Sequence, residues 1–111
     1  MKKIVLMMLL ALGVGLFAHP ASQVSLEFER ETSILKVGFS HKVSNADKHF
    51  IFEVNVYLNT NEIITQKLEK QETADGGELV YRIIEVKPGD KIKVQTNCNK
   101  TGKKSAEITI E

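Results

Sequence analysis

From Gln23 onward apolar and polar residues alternate with a period of two, the spacing of a strand with one face in a core and the other in water. Val24, Leu26 and Phe28 mark Gln23–Arg30, and Leu35, Val37 and Phe39 mark Ile34–Ser40. Phe50, Phe52, Val54, Val56 and Leu58 give the longest alternation, a central strand that stops at the turn residues Asn59-Thr60-Asn61. A shorter, weaker strand is predicted over Glu62–Leu68 and another strand over Glu78–Ile84, separated by an acidic loop at Thr73-Ala74-Asp75-Gly76-Gly77. After the turn Lys87-Pro88-Gly89-Asp90 come Lys91–Asn97 and a last strand, Ser105–Glu111. No stretch of helical spacing is long enough to compete. The expected class is all-β, a seven-stranded immunoglobulin-like antiparallel sandwich.

The segment before Gln23 follows a different rule. Lys2 and Lys3 precede an apolar run from Ile4 to Phe17, the charge order and length of a secretory signal, with small Ala18 as the expected cleavage position. The run is shorter than the roughly 20 apolar residues that span a bilayer, so no membrane anchor is expected in the mature chain. Residues 1–18 are thus read as a cleaved signal and 19–111 as one domain, in the periplasm or outside the cell. Removing Lys2 and Lys3 lowers the basic residues from 15 to 13 against 14 acidic ones. That balance disfavours nucleic acid, which needs a basic surface. A lone cysteine in an oxidising compartment has no internal disulfide partner.

The chemistry-bearing residues have one distribution. His19, His41, His49 and Cys98, all the histidines and the cysteine of the chain, fall between the predicted strands, with Cys98 opening the sixth-to-seventh loop. Successive connections in a sandwich lie at alternate ends, so the mature N-terminus, the second-to-third loop and the sixth-to-seventh loop share one end. The turns at Thr32, Thr60 and Pro88 go to the other, without a soft ligand. Imidazole and thiolate together suit iron, copper or zinc. Cys98 also continues the inward parity of Ile92, Val94 and Thr96, so a buried inert thiol stands as the alternative.

The stretch from His41 to Lys48-His49-Phe50-Ile51, the turn Pro88-Gly89-Asp90 and the run Cys98-Asn99-Lys100-Thr101-Gly102 resemble the iron-binding domain of superoxide reductases, also called desulfoferrodoxins and neelaredoxins. The likeness runs from about Gln23 to Gly102 and into the last strand. It implies a mononuclear Fe(II) site with imidazoles in a plane, a thiolate beneath and an open position for superoxide, with His41, His49 and Cys98 as three of the five ligands. Thr101 stands where that family has the histidine of its cysteine motif, Lys42 replaces the proline after His41 in a loop two residues longer, and the loop carrying the family's first histidine has no counterpart.

Three functions follow as expectations: a periplasmic metal-binding protein of the superoxide reductase type with an altered site; a working superoxide reductase served by an external electron donor; or a metal-free structural or partner-binding sandwich. Iron is the first choice of metal, with copper or zinc next. Lys48, with Lys42, Lys100, Lys103 and Lys104 at the same end, is a candidate for drawing in superoxide or another small anion. Cleavage after Ala18 would free an α-amine on His19 that can chelate a metal together with its own imidazole. The alternative for His19 is a mobile chain end.

Overall fold

A computed structural model describes residues 19–111, and the expected signal segment, residues 1–18, lies outside them. The described chain forms seven antiparallel strands: β1 (Gln23–Glu29), β2 (Ile34–Ser40), β3 (Ile51–Leu58), β4 (Asn61–Lys67), β5 (Gly76–Arg82), β6 (Lys91–Cys98) and β7 (Lys103–Thr109). They make two sheets, ordered β1-β2-β5 and β4-β3-β6-β7. The inward residues of both sheets share one core: Leu35 and Val37 from β2, Ile51, Val54 and Val56 from β3, and Ile92 and Val94 from β6 are all sealed from solvent. Burial of this apolar set is the main drive for folding. No helix occurs among the described residues.

The alternation expected for the third strand changes parity partway. The pairing of β3 with β6 slips between Ile51 and Glu53, a β-bulge that inserts one residue. A bulge turns the side chains on one flank to the other face. Ile51 therefore enters the core beside Val54, whereas Phe50 and Phe52, expected inside, line a shallow outer hollow with Leu68. The bulge also fixes the direction from which the segment before Ile51 enters the sheet.

Two strands start two residues earlier than their apolar pattern suggested, because pairing and not hydropathy sets their ends. β5 begins at Gly76 and Gly77, which pair with Ser40 and Phe39. Gly76 has φ +149°, and a Cβ there would stand 2.0 Å from the Phe39 carbonyl oxygen, so a glycine pair read as loop is the part of β5 that approaches β2 most closely. β7 begins at Lys103, opposite Asn97. At the opposite end of the sandwich Asn59 closes the β3–β4 hairpin at φ 57°, and its side-chain oxygen accepts from the Lys91 amide.

Candidate metal centre

Four chain segments meet at one end of the sandwich. His41 directly follows β2 and is 0% exposed. The acidic loop lies alongside, with the His41 and Val43 amides donating to the Asp75 and Ala74 carbonyls. His49 ends the β2–β3 loop, in a turn built by Asn45, whose side chain accepts from the Asp47 amide and whose carbonyl accepts from the His49 amide at 2.9 Å. Asn99 grips the same segment on both sides of His49: its Oδ1 accepts from the Phe50 amide and its Nδ2 donates to the Lys48 carbonyl, each at 2.9 Å.

His19 reaches this end through Pro20, which packs on Gly102. A Cβ on Gly102 would stand 3.0–3.2 Å from the proline ring, and its φ of +83° is one that side chains rarely adopt. The Gly102 carbonyl accepts from the Cys98 amide, so the same turn ties the end of β6 to the N-terminal strap. Ala21 is buried behind it, and the Ser22 amide donates to the Ser40 carbonyl.

The three imidazoles lie together, with ring centroids 4.8–5.2 Å apart. One nitrogen from each falls within 4.8 Å of the others. In a tetrahedral site with bonds of about 2.0–2.1 Å, donor atoms stand roughly 3.3 Å apart, so the widest pair closes by roughly 1.5 Å on binding. The hydrogen bonds leave a bare nitrogen on His19 and on His49, while both nitrogens of His41 have partners. His19 Nδ1 lies 2.9 Å from the Pro20 carbonyl oxygen, which can only accept, and so keeps its proton on that side. That nitrogen is also the one a chelate with the His19 amine would use. His49 Nε2 is buried and has no partner among the described residues. Burial above all, then the His41 and His19 rings and the Lys100 charge, hold the His49 pKa below 6.5, with only the His19 backbone opposing. A neutral imidazole with an unused lone pair is a metal donor. An imidazole tied at one nitrogen and bare at the other, as His19 is, follows the pattern of metal-binding histidines.

His41 is held by Gln71. The Gln71 amide donates from Nε2 to the His41 carbonyl at 2.7 Å and to the Thr73 carbonyl at 2.9 Å, which settles its orientation. Its Oε1 then accepts from the Ile51 amide at 3.3 Å and from His41 Nδ1 at 2.7 Å. His41 Nε2 stands 3.0 Å from the His19 carbonyl oxygen. With the Nδ1 proton committed to Gln71, a neutral ring would point a lone pair at that oxygen. A proton on Nε2 removes the clash, whereas a metal bound there needs the His19 carbonyl to swing away, because a 3.0 Å gap is too short to hold an ion between nitrogen and oxygen. Nothing about residue type or spacing marked Gln71, which the sequence places in a loop notable only for its acidic residues.

Cys98 is not part of the imidazole group. It is the last residue of β6 and not the start of the following loop, it pairs with Ile51, and it is buried as its parity predicts. Its Sγ lies 3.4 Å from the Lys100 amide, which donates to it. Thr101 is exposed, as are Lys42, Lys48 and Lys100. The fold therefore supports a three-imidazole site able to hold a metal ion, with the thiol buried at the end of the strand that pairs with Ile51. Comparison with protein-family models, curated proteins and solved structures gives no match.

Proposed function

We propose that this is an exported metal-binding protein that holds a transition ion on His19, His41 and His49. The observation that carries the reading is the buried, partnerless Nε2 of His49 facing two further imidazoles. An isolated buried nitrogen of this kind is costly, and a metal ion satisfies it. Three neutral nitrogens suit iron, copper or zinc over calcium or magnesium. Iron is the ion that the likeness to superoxide reductases implies, and Fe(II) held there would supply one-electron reducing power beside open coordination positions. The protein's own share is to hold three imidazoles, keep Nδ1 of His19 and of His41 hydrogen-bonded and place Lys48 and Lys100 around the rim, where positive charge attracts small anions.

The test is metal analysis of protein taken from the periplasm, followed by anaerobic titration of the metal-free protein with Fe(II), Co(II), Cu(II) and Zn(II). The reading expects one equivalent bound, with binding abolished in the His19→Ala/His41→Ala/His49→Ala protein. Equal binding by that variant, or no uptake of any of the four ions, sinks it. Consumption of superoxide by the iron-loaded protein with an added electron donor tests the stronger, catalytic form.

A further inference from the structure

We infer that Gln71 is the positioning residue of this site: it fixes the His41 proton on Nδ1 and so makes Nε2 the nitrogen that His41 turns toward His19 and His49. The inference deepens the metal-binding reading and rests on it only for its consequence, since the proton's place is a property of the metal-free protein.

The geometry leaves Gln71 one orientation. Its Nε2 faces two carbonyl oxygens, of His41 and Thr73, and an amide turned the other way would set oxygen against oxygen twice. Its Oε1 faces the Ile51 amide, which can only donate. The remaining contact, 2.7 Å to His41 Nδ1, then requires a proton on that nitrogen. Gln71 is 3% exposed and uses all four of its hydrogen-bonding positions, so water does not compete for them. Its own backbone is anchored as well, because its amide donates to the Ala46 carbonyl in the β2–β3 loop, and Thr73 closes a turn with Gly76 at the start of β5. One side chain thus links His41, the first residue of β3 and the loop before β5, and its position is set by backbone from three elements.

The consequence lies in the ring. A free imidazole exchanges its proton between the two nitrogens, and a metal must find the right one bare. Here Nδ1 is committed to Gln71 beforehand, which lowers the ordering cost of binding, and Nε2 has only its contact with the His19 carbonyl to give up. Partners of this type typically contribute about 10–100-fold to metal affinity.

The experiment is long-range proton–nitrogen NMR of the imidazoles in nitrogen-15 labelled protein, metal-free and with Zn(II). The expected spectrum shows His41 Nδ1 protonated in both states, with the Zn(II)-induced shift confined to Nε2. Gln71→Glu keeps an accepting oxygen and should keep the proton on Nδ1, while its second oxygen, set against the His41 and Thr73 carbonyls, should lower the melting temperature. Gln71→Leu should release it to a mixture of tautomers and weaken Zn(II) binding about 10–100-fold. A wild-type spectrum with a bare Nδ1 overturns the inference, and needs no variant to fold. So does a folded Gln71→Leu protein with unchanged tautomer and Zn(II) affinity within twofold of wild type. A protonated Nδ1 in a wild type that takes up no metal supports the lock and rejects the metal-binding reading, so the two failures are told apart.

Discussion

β2 runs between two buried polar atoms that have no hydrogen-bond partner among the described residues, and they are not alike. Near its start, Leu35 pairs with Tyr81, whose hydroxyl is sealed without a partner; just past its end, His41 faces the orphaned Nε2 of His49. Burial acts on both, raising the Tyr81 phenol to about 12 and lowering the His49 imidazole, each toward its neutral form. The difference lies in the company. Among the described residues the Tyr81 end holds no cluster of three metal-ligating side chains, whereas His49 Nε2 shares its space with two more imidazoles, each tied at Nδ1. An orphaned polar atom is only a cost at one end, and at the other it is one donor of an assembled set. What distinguishes a functional orphan from a packing defect is thus the preparation of its neighbours.

Substitutions at the two ends should separate these cases. The largest effect is expected from His41→Ala/His49→Ala, which removes two of three donors and should weaken metal binding by roughly a thousandfold, about 4 kcal/mol, as read by calorimetry. Cys98→Ser should cost less than either single histidine variant, because Sγ lies outside the imidazole group; a larger loss in Cys98→Ser would bring the thiolate into the site and restore the superoxide reductase ligand set. Leu35→Ala, in the core beside Tyr81, should lower stability by about 2–5 kcal/mol in urea while leaving the metal affinity of the folded protein intact. A shared loss of affinity would show that the two ends do not behave independently.

Smaller effects test the supports. Gly102→Ala forces an unfavourable φ at a cost of about 1–2 kcal/mol and presses on Pro20, so the melting temperature should fall and metal binding weaken severalfold through His19. The smallest effect is expected from Tyr81→Phe, which removes an unsatisfied hydroxyl and should be neutral or stabilise by up to about 1 kcal/mol. Because the folded phenol's pKa is raised from 10 to about 12, its contribution to stability is present below pH 10 and is lost as pH rises from there toward 12. Tyr81→Phe should flatten that alkaline loss in thermal melts. A clear destabilisation by Tyr81→Phe instead would mean that the hydroxyl has a partner and is not an orphaned atom like His49 Nε2.

The body of the sandwich was legible along the chain, because a strand with one buried face repeats its apolar residues every second position and the turns punctuate it with Asn, Gly and Pro. β1, β2, β4 and β6 match their expected spans to within a residue or two. So does the placing of His19, His41 and His49 at one end, which needs only strand count and the alternation of connections. The bulge at Ile51–Glu53 was not legible, since the run Phe50-Ile51-Phe52 is apolar on both parities and only pairing with β6 decides which residue turns inward. Gly76 and Gly77 read as loop for a similar reason: their lack of a side chain signals a turn as readily as a close approach, and the nearness of Phe39 is known only when β2 is beside them.

The site divides in the same way. The sequence by itself determined the donor types and the end of the sandwich on which they gather, because both follow from local pattern and connectivity. Only the tertiary structure decided that the three imidazoles converge without Cys98, that Pro20 on Gly102 brings His19 among them, and that Gln71 and Asn99 hold His41 and His49. Those contacts join residues dozens of positions apart, and a side-chain amide carries no mark of the ring or backbone it will meet. Its direction is fixed by hydrogen bonds to carbonyls and amides from three strands and loops, which exist only once the sheets have paired.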